Sequence, residues 1–332
     1  MIQRVEVSAV EGFVPANGND AAALGEWGGV LANGKSGGAS WRLCCGDSRT
    51  VLRKLPDYKF GCVVTSPPYF WQRDYGVEGQ IGLERSISGY VNALAGTMDE
   101  VHRVLDQHGV MFLNLGDTYY SGKGRPKGVD PKHSGRRLDI LRAVDASGLG
   151  VPQKTALGMP WRVALELVDR GWILRAPIVW RRENAIPEAN VLDRPWRTYE
   201  MVFMFAKSRR YRFSRKPLEN AGVEDVWTIE SQARSGRKHP ATFPAELVTR
   251  CIDLAHVKKK GWVLDPFAGS GTVMKVALDR GLNAFGIDLN RGFCQQIMKE
   301  ISTQTPLTPR SARGASVASS SSNGAGSGRS AK

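Results

Sequence analysis

The stretch WVLDPFAGSGTVMKVALDRG, residues 262–281, reads as a buried strand, a tight turn and a helix. Gly269 and Gly271 allow positive φ and let a ligand approach the main chain closely. Thr272 is expected to cap the helix, whose first N–H groups point back at the turn. A second strand, NAFGIDL (283–289), carries Asp288, a carboxylate able to accept both hydroxyls of a ribose. The loop departs from two phosphate-binding patterns. A dinucleotide loop needs glycine where Met274 stands, and no Gly-Lys-Ser/Thr follows for a nucleotide triphosphate. A nucleoside without phosphates fits better, with Asp265 near an amino-acid end. A plain structural turn is the simpler alternative.

Upstream, five further apolar runs have strand character: 41–45, 61–65, 109–115, 172–180 and 200–206. Stretches of helical period lie at 48–55, 88–105, 158–170, 244–257, 271–281 and 290–300. Strands alternating with helices predict an α/β, doubly wound, mainly parallel seven-stranded sheet. The expected domain is 41–302. Residues 1–40 read as a loose N-terminal extension and 303–332 as a disordered Ser/Gly-rich tail. The polar, Gly-rich and basic segment 117–157 reads as an insert with a function of its own.

The run GCVVTSPPYFW (61–71) is a strand entering Thr65-Ser66-Pro67-Pro68-Tyr69. Two prolines remove two backbone donors and fix φ near −65°, giving a stiff turn whose carbonyls have no competing N–H beside them. Such carbonyls, with the Ser66 hydroxyl, suit an NH₂ group, and Tyr69 offers a flat face. The exocyclic nitrogen of cytosine or adenine is a poor nucleophile because its lone pair is delocalised. Accepting its two N–H bonds favours the pyramidal form and aims it for in-line attack. A Pro-Pro turn that merely ends a strand is the plain alternative.

The net charge is +14, and it is clustered. Residues 207–216 carry six cations and no acid, including Arg209 and Arg210. Residues 123–142 carry Arg125, Lys127, Arg136 and Arg137 among others. Clustering favours contact with a polyanion over solubility alone. The five scattered cysteines form no CxxC pair, which predicts neither a disulfide framework nor a metal site. Without a long apolar run or a signal-peptide pattern, the expectation is a soluble cytoplasmic protein, nucleoid-associated through DNA, with no membrane partner.

The two loops together resemble the β group of amino DNA methyltransferases (N4-cytosine / N6-adenine) of restriction–modification systems and phages. Gly46-Asp47, TSPPY, RDYG, QIGLE, NLGDTY (114–119), HPATFP (239–244) and DPFAGSGT (265–272) stand in that group's permuted order, over roughly residues 41–300. The resemblance implies S-adenosylmethionine as cofactor. It assigns cofactor contacts to Asp47, Thr65, Phe243, Pro244, Asp265, Pro266, Phe267, Gly269, Ser270, Gly271, Thr272 and Asp288. Catalysis falls to Ser66, Pro67, Pro68 and Tyr69, with Trp180 stacking on a flipped base. Many relatives carry a longer segment after the strand equivalent to 200–206, but little lies there between Phe213 and Trp227, and target recognition is expected in the basic, Gly-rich insert 117–157. Ser before Pro-Pro-Tyr resembles the N4-cytosine subgroup, while N6-adenine stays open. Double-stranded DNA is the implied partner, with a cognate restriction endonuclease as a functional one. Protein-glutamine methyltransferases place the cofactor loop first, and cytosine-carbon enzymes need a Pro-Cys pair that this chain lacks. A nicotinamide-dependent oxidoreductase leaves SPPY unexplained. A non-catalytic DNA-binding protein would not need both loops intact.

Overall fold

The computed structural model describes residues 32–120, 149–185, 187–188, 191–219, 224–231 and 243–303. Nine strands form one sheet: β1 Ala32–Ser36, β2 Ala39–Cys45, β3 Phe60–Thr65, β4 Leu105–Leu115, β5 Ile173–Arg182, β6 Tyr199–Ala206, β7 Val226–Ile229, β8 Trp262–Asp265 and β9 Asn283–Asp288. Their order is β1-β2-β9-β8-β3-β4-β6-β5-β7. The run from β2 through β9, β8 and β3 to β4 is parallel, β5 with β7 is parallel, and β6 is antiparallel to both neighbours.

The seven strands expected from the sequence are all present, and two more extend the sheet. β1 pairs with β2 through a hairpin whose turn, Gly37–Gly38, has φ of +55° and +82°. The glycines that made 1–40 read as a loose extension are what a two-residue hairpin turn requires. Residues 32–40 therefore belong to the sheet. β7 is four residues long, with Trp227 and Ile229 buried and its other two residues exposed, too short to stand out as a strand.

Helices α1 Ser48–Arg53, α2 Ile87–Val104 and α3 Met159–Asp169 cover one face. α5 Ala245–Ala255, α6 Thr272–Asp279 and α7 Arg291–Thr303 cover the other, and α4 Lys216–Glu219 is a single turn. Central strands bury both faces alternately. Val63 of β3 joins the first layer while Cys62 and Val64 join the second, as period-2 strands between two helical layers must, and a register shift between Phe60 and Cys62 turns Phe60 to the same layer as Val63. Each fully buried large apolar side chain contributes about 1.5–3 kcal/mol. Cys44, Cys62, Cys251 and Cys294 are buried and Cys45 half-buried, all with free thiols.

The direction of the crossovers reverses between the parallel strands β3 and β8. From β3 the chain crosses by α2 to β4 on one side, and from β8 it crosses by α6 to β9 on the other. The loops after β3 and β8 therefore diverge over a crevice, the place where α/β sheets bind ligands.

Gly286 lets α6 lie close on β9. A Cβ there would sit 2.4 Å from Met274 Sδ and 3.2 Å from both Ala268 Cβ and Leu43 Cδ1. Gly286→Ala should lower unfolding stability by about 1–3 kcal/mol through overpacking, read in a denaturant titration.

Candidate active site

Thr65 ends β3 and Asp265 ends β8, and both are buried. The Thr65 hydroxyl donates to Asp265 Oδ1 at 2.8 Å, and the Phe267 amide donates to the same oxygen at 3.0 Å. This bond joins the two loops across 200 residues of sequence. Burial pushes the Asp265 carboxyl up to about 7, against the lowering effect of these two donors.

Around this junction lies a cavity of about 510 Å³. Ser66, Pro67, Tyr69 and Asn114 line one side, and Asp265, Phe267, Gly269, Ser270 and Thr272 line another. Trp180, Arg182, Asn184, Glu188 and Arg197 close it from the 180–197 segment. A smaller space of about 90 Å³ adjoins it, sharing Ser66, Tyr75, Phe267 and Gly269. Its walls include Ile81, Leu289 and Phe293, with Asp47 and Asp288 among its polar groups.

The Gly loop is held by its own backbone and by Asp288. Asp288 Oδ2 accepts from the Gly269 amide at 2.7 Å and Oδ1 from the Asn290 amide at 2.8 Å. Burial raises the Asp288 carboxyl to about 6, the two amides opposing. Gly269 and Gly271 have φ of +53° and +71°. Gly271, not Thr272, occupies the helix N-cap and makes no side-chain cap. The chain enters α6 from a left-handed residue, so Thr272 is the first helical residue and its hydroxyl turns to Ser270 at 3.0 Å. No side chain covers the helix's leading N–H groups, which suits a ligand. Pro266 accepts from the Ser48 hydroxyl through its carbonyl. Asp47 caps α1 through the Arg49 amide at 2.8 Å. Burial opposes its charge, but the Arg49 guanidinium and amide hold its carboxyl below the usual range. Phe243 reaches the larger cavity, and Pro244 is the N-cap of α5.

The Pro-Pro turn is less uniform than its sequence suggests. The Pro68 carbonyl accepts from the Tyr90 hydroxyl at 3.0 Å, and Pro68 lines the smaller space. Ser66 and Pro67 face the larger one. Tyr69 offers more than a flat face. Its hydroxyl lies 2.7 Å from Glu200 Oε2, 3.1 Å from Ser66 Oγ and 2.6 Å from Asn114 Nδ2. Gly116 packs on its ring, where a Cβ would come within 2.7 Å of Cε2. Burial, then the Glu200 charge, raises the phenol well above its ordinary value, so it stays protonated.

Trp180 lines the cavity but is itself buried, its Nε1 donating to the Ile229 carbonyl at 3.0 Å. Arg125, Lys127, Arg136 and Arg137 lie outside the described residues. The ends of their insert close on one another: Tyr120 N donates to Thr155 O at 2.9 Å and Leu157 N to Thr118 O at 2.9 Å. That neck leaves the end of β4 beside the cavity. Arg209 and Arg210 follow the end of β6, where Ala206 pairs with Val110 near the start of β4. The antiparallel direction of β6 puts them at the far edge of the sheet, and the structure does not bring them to the site.

Sequence reasoning marked NLGDTY (114–119) as a family motif and 180–197 as a segment resembling the one that lines the flipped base, but gave no individual role to Asn114, Gly116, Asp117, Arg182 or Arg197 and none at all to Glu200. Asp117 caps α3 by accepting from Gly158 N and Met159 N, each at 3.0 Å. A lone acid heading the apolar strand EMVFMFA was the available signal for Glu200.

Residues 60–299 match the family of DNA methylases that act on N6 or N4 amino groups. The chain is a DNA methylase of this family. It is 42% identical over 252 residues to the type II methyltransferase M.XycI of Xanthomonas campestris pv. cyanopsidis, covering 74% of this chain and 82% of that one. It is 35% identical to the type II methyltransferase M.SmaI of Serratia marcescens, covering 79% and 91%. Among solved structures its fold is similar to that of PvuII DNA methyltransferase (cytosine-N4-specific), with a TM-score of 0.61 at 18% identity, over 81% of this chain and 88% of that one. The methylase's cofactor is S-adenosylmethionine. We propose that its nucleoside enters by the smaller space, with Asp288 toward the ribose, and that its amino-acid end and sulfonium reach the start of α6 and the junction with the larger cavity. Among the described residues no helix is long and apolar enough to cross a membrane.

A ribose hydroxyl donates more strongly to an ionised Asp288 carboxylate than to its protonated form. With that carboxyl raised to about 6 by burial, cofactor affinity should hold well above pH 6 and decline as pH falls through it. Asp288→Asn should weaken cofactor binding by about 10- to 100-fold, the scale of a lost charged hydrogen bond, and remove that pH step in a calorimetric titration.

Proposed function

We propose that this methylase transfers the methyl group of S-adenosylmethionine to N4 of a cytosine within a specific sequence of double-stranded DNA. The observation that carries this reading is the place of Ser66. It sits on a proline-stiffened turn, beside Asp265 and the Gly loop, at the meeting of the two cavities. A target base lies inside the duplex and has to be flipped out to reach that point. There the Ser66 hydroxyl and the Pro67 carbonyl would accept the amino hydrogens and aim the nitrogen, while the bound cofactor would supply the methyl group from its sulfonium and leave as S-adenosylhomocysteine, the amino nitrogen giving up one proton to solvent. No covalent enzyme intermediate is required. A neutral serine accepts from the amino group while tolerating the acceptor nitrogen next to it in the cytosine ring. Trp180, buried with its Nε1 bonded to the Ile229 carbonyl, backs the wall that the everted base meets instead of stacking on it.

The basic insert, with Arg125, Lys127, Arg136 and Arg137, tracks phosphates and reads guanine edges. Its neck opens beside the cavity, which supports the assignment. The biological role is protection of DNA in a restriction–modification or phage setting, with a cognate endonuclease as functional partner.

The test is to incubate the protein with duplex DNA and methyl-labelled cofactor, digest to nucleosides and identify the product by mass spectrometry. N4-methylcytosine is expected. Label on N6-methyladenine would overturn the base assignment, and label on 5-methylcytosine would overturn the mechanism. Ser66→Ala should cut turnover by about 10²–10³-fold, with cofactor affinity nearly unchanged. For DNA, Arg136→Ala with Arg137→Ala should weaken binding and reduce the salt slope by about one per lost phosphate contact. Arg209→Ala with Arg210→Ala should leave both unchanged, as read by fluorescence anisotropy across a salt series.

A further inference from the structure

We propose that Glu200 fixes the direction of a hydrogen-bond chain running from Ser66 through Tyr69, and thereby keeps the Ser66 oxygen an acceptor toward the base. The inference rests on the reading of Ser66 as the group that receives the amino hydrogens. It concerns a residue on β6, remote in sequence from both loops.

Proton supply sets the direction of the chain. A carboxylate has none to give, so in the 2.7 Å contact between Tyr69 Oη and Glu200 Oε2 the phenol donates. Tyr69 has only one hydrogen, and this contact uses it. Its phenol is held protonated by burial and by the Glu200 charge. In the 3.1 Å contact with Ser66 Oγ, the tyrosine oxygen must then accept and the serine must donate. With the Ser66 hydrogen turned to Tyr69, one serine lone pair faces Asn114 Nδ2 at a long 3.4 Å and the other is left for the cavity that Ser66 lines.

Asn114 reinforces this order. Its Nδ2 donates to Glu200 Oε2 at 3.0 Å and to Tyr69 Oη at 2.6 Å, and Glu200 as an acceptor holds the amide in that orientation. Asn114 Oδ1 is buried with no partner among the described residues. The other Glu200 oxygen faces Arg182 Nη1 at 3.8 Å, and this ion pair holds the carboxylate in place from its other side.

Without the carboxylate the chain has no fixed end. In Glu200→Gln, an amide nitrogen placed toward Arg182 would oppose donor to donor, so the nitrogen turns toward Tyr69. Asn114 can turn over to accept from it through the oxygen that now lacks a partner. The tyrosine hydrogen then passes to Ser66, and the serine hydrogen points into the cavity at the incoming amino group. Glu200 is a positioning residue by this account, acting through Tyr69 on Ser66.

The experiment compares wild type, Glu200→Gln, Tyr69→Phe and the double variant, on duplex DNA with labelled cofactor. Rates are normalised to the fraction of protein that binds S-adenosylmethionine, so unfolded material does not count. We expect Glu200→Gln to lower kcat by about 10²-fold, the scale of a lost oriented acceptor, while KM for the cofactor stays within about threefold of wild type. Tyr69→Phe breaks the same chain, so the double variant should fall no further than the weaker of the two single variants. A Glu200→Gln enzyme with kcat within about threefold of wild type would overturn the proposal. So would losses that multiply in the double variant, or an equal loss in kcat and cofactor affinity. Nucleoside analysis of the wild-type product separates this from failure of the parent reading. If wild type leaves no label on an exocyclic amine, the proposed function fails first.

Discussion

One hydrogen bond, from the Thr65 hydroxyl to the buried Asp265 carboxyl, ties together the halves of this site. The sheet brings it about. Because the crossovers from β3 and β8 run in opposite directions, no helix covers the space between their C-terminal ends. Whatever residues follow those strands must diverge and leave a crevice. The sequence fills one side with a proline turn that cannot flex and the other with a glycine turn that admits a ligand. Thr65 and Asp265 then set the distance between them. A carboxyl placed there is costly to ionise, and its elevated value near 7 records the burial.

The two cavities divide the chemistry by their walls. The smaller is mostly apolar, with acids at Asp47 and Asp288, as a flat ring joined to a sugar demands. The larger holds many polar and charged side chains, including Arg182, Glu188, Arg197 and Glu200. These are largely satisfied by one another. Glu188 accepts from Arg194 at 2.8 Å and from the Arg197 amide at 3.0 Å, while the Asp117 carbonyl takes Gln72 and Arg197. A polar wall whose members are paired holds a fixed shape.

Much of this was legible in the sequence, for identifiable reasons. Seven strands and six helices announced themselves by period, because central strands buried on both faces are continuously apolar and surface helices are not. Both loops were legible because proline and glycine restrict or free the backbone by themselves. What escaped depended on partners distant in the chain. Glu200 is one acid at a strand end until β6 is known to lie beside β4, and Asn114 is equally mute alone. Thr272 was expected to cap α6, but a left-handed Gly271 takes that place. Arg209 and Arg210 belong to a charge cluster whose position depends on the direction of β6, which composition does not encode. The hairpin at Gly37–Gly38 was hidden by the same glycines that make it.

The closed neck at 118–120 and 154–157 has a consequence for how such a protein can change. Residues 118–120 and 154–157 are joined to one another by backbone bonds, and Asp117 anchors the start of α3 by itself. Because closing a longer connection costs little extra, about 0.6 kcal/mol for each doubling of a flexible one, a lineage could trade the residues between those two ends for a longer, shorter or unrelated set. β4, α3 and the serine they surround would keep their places throughout.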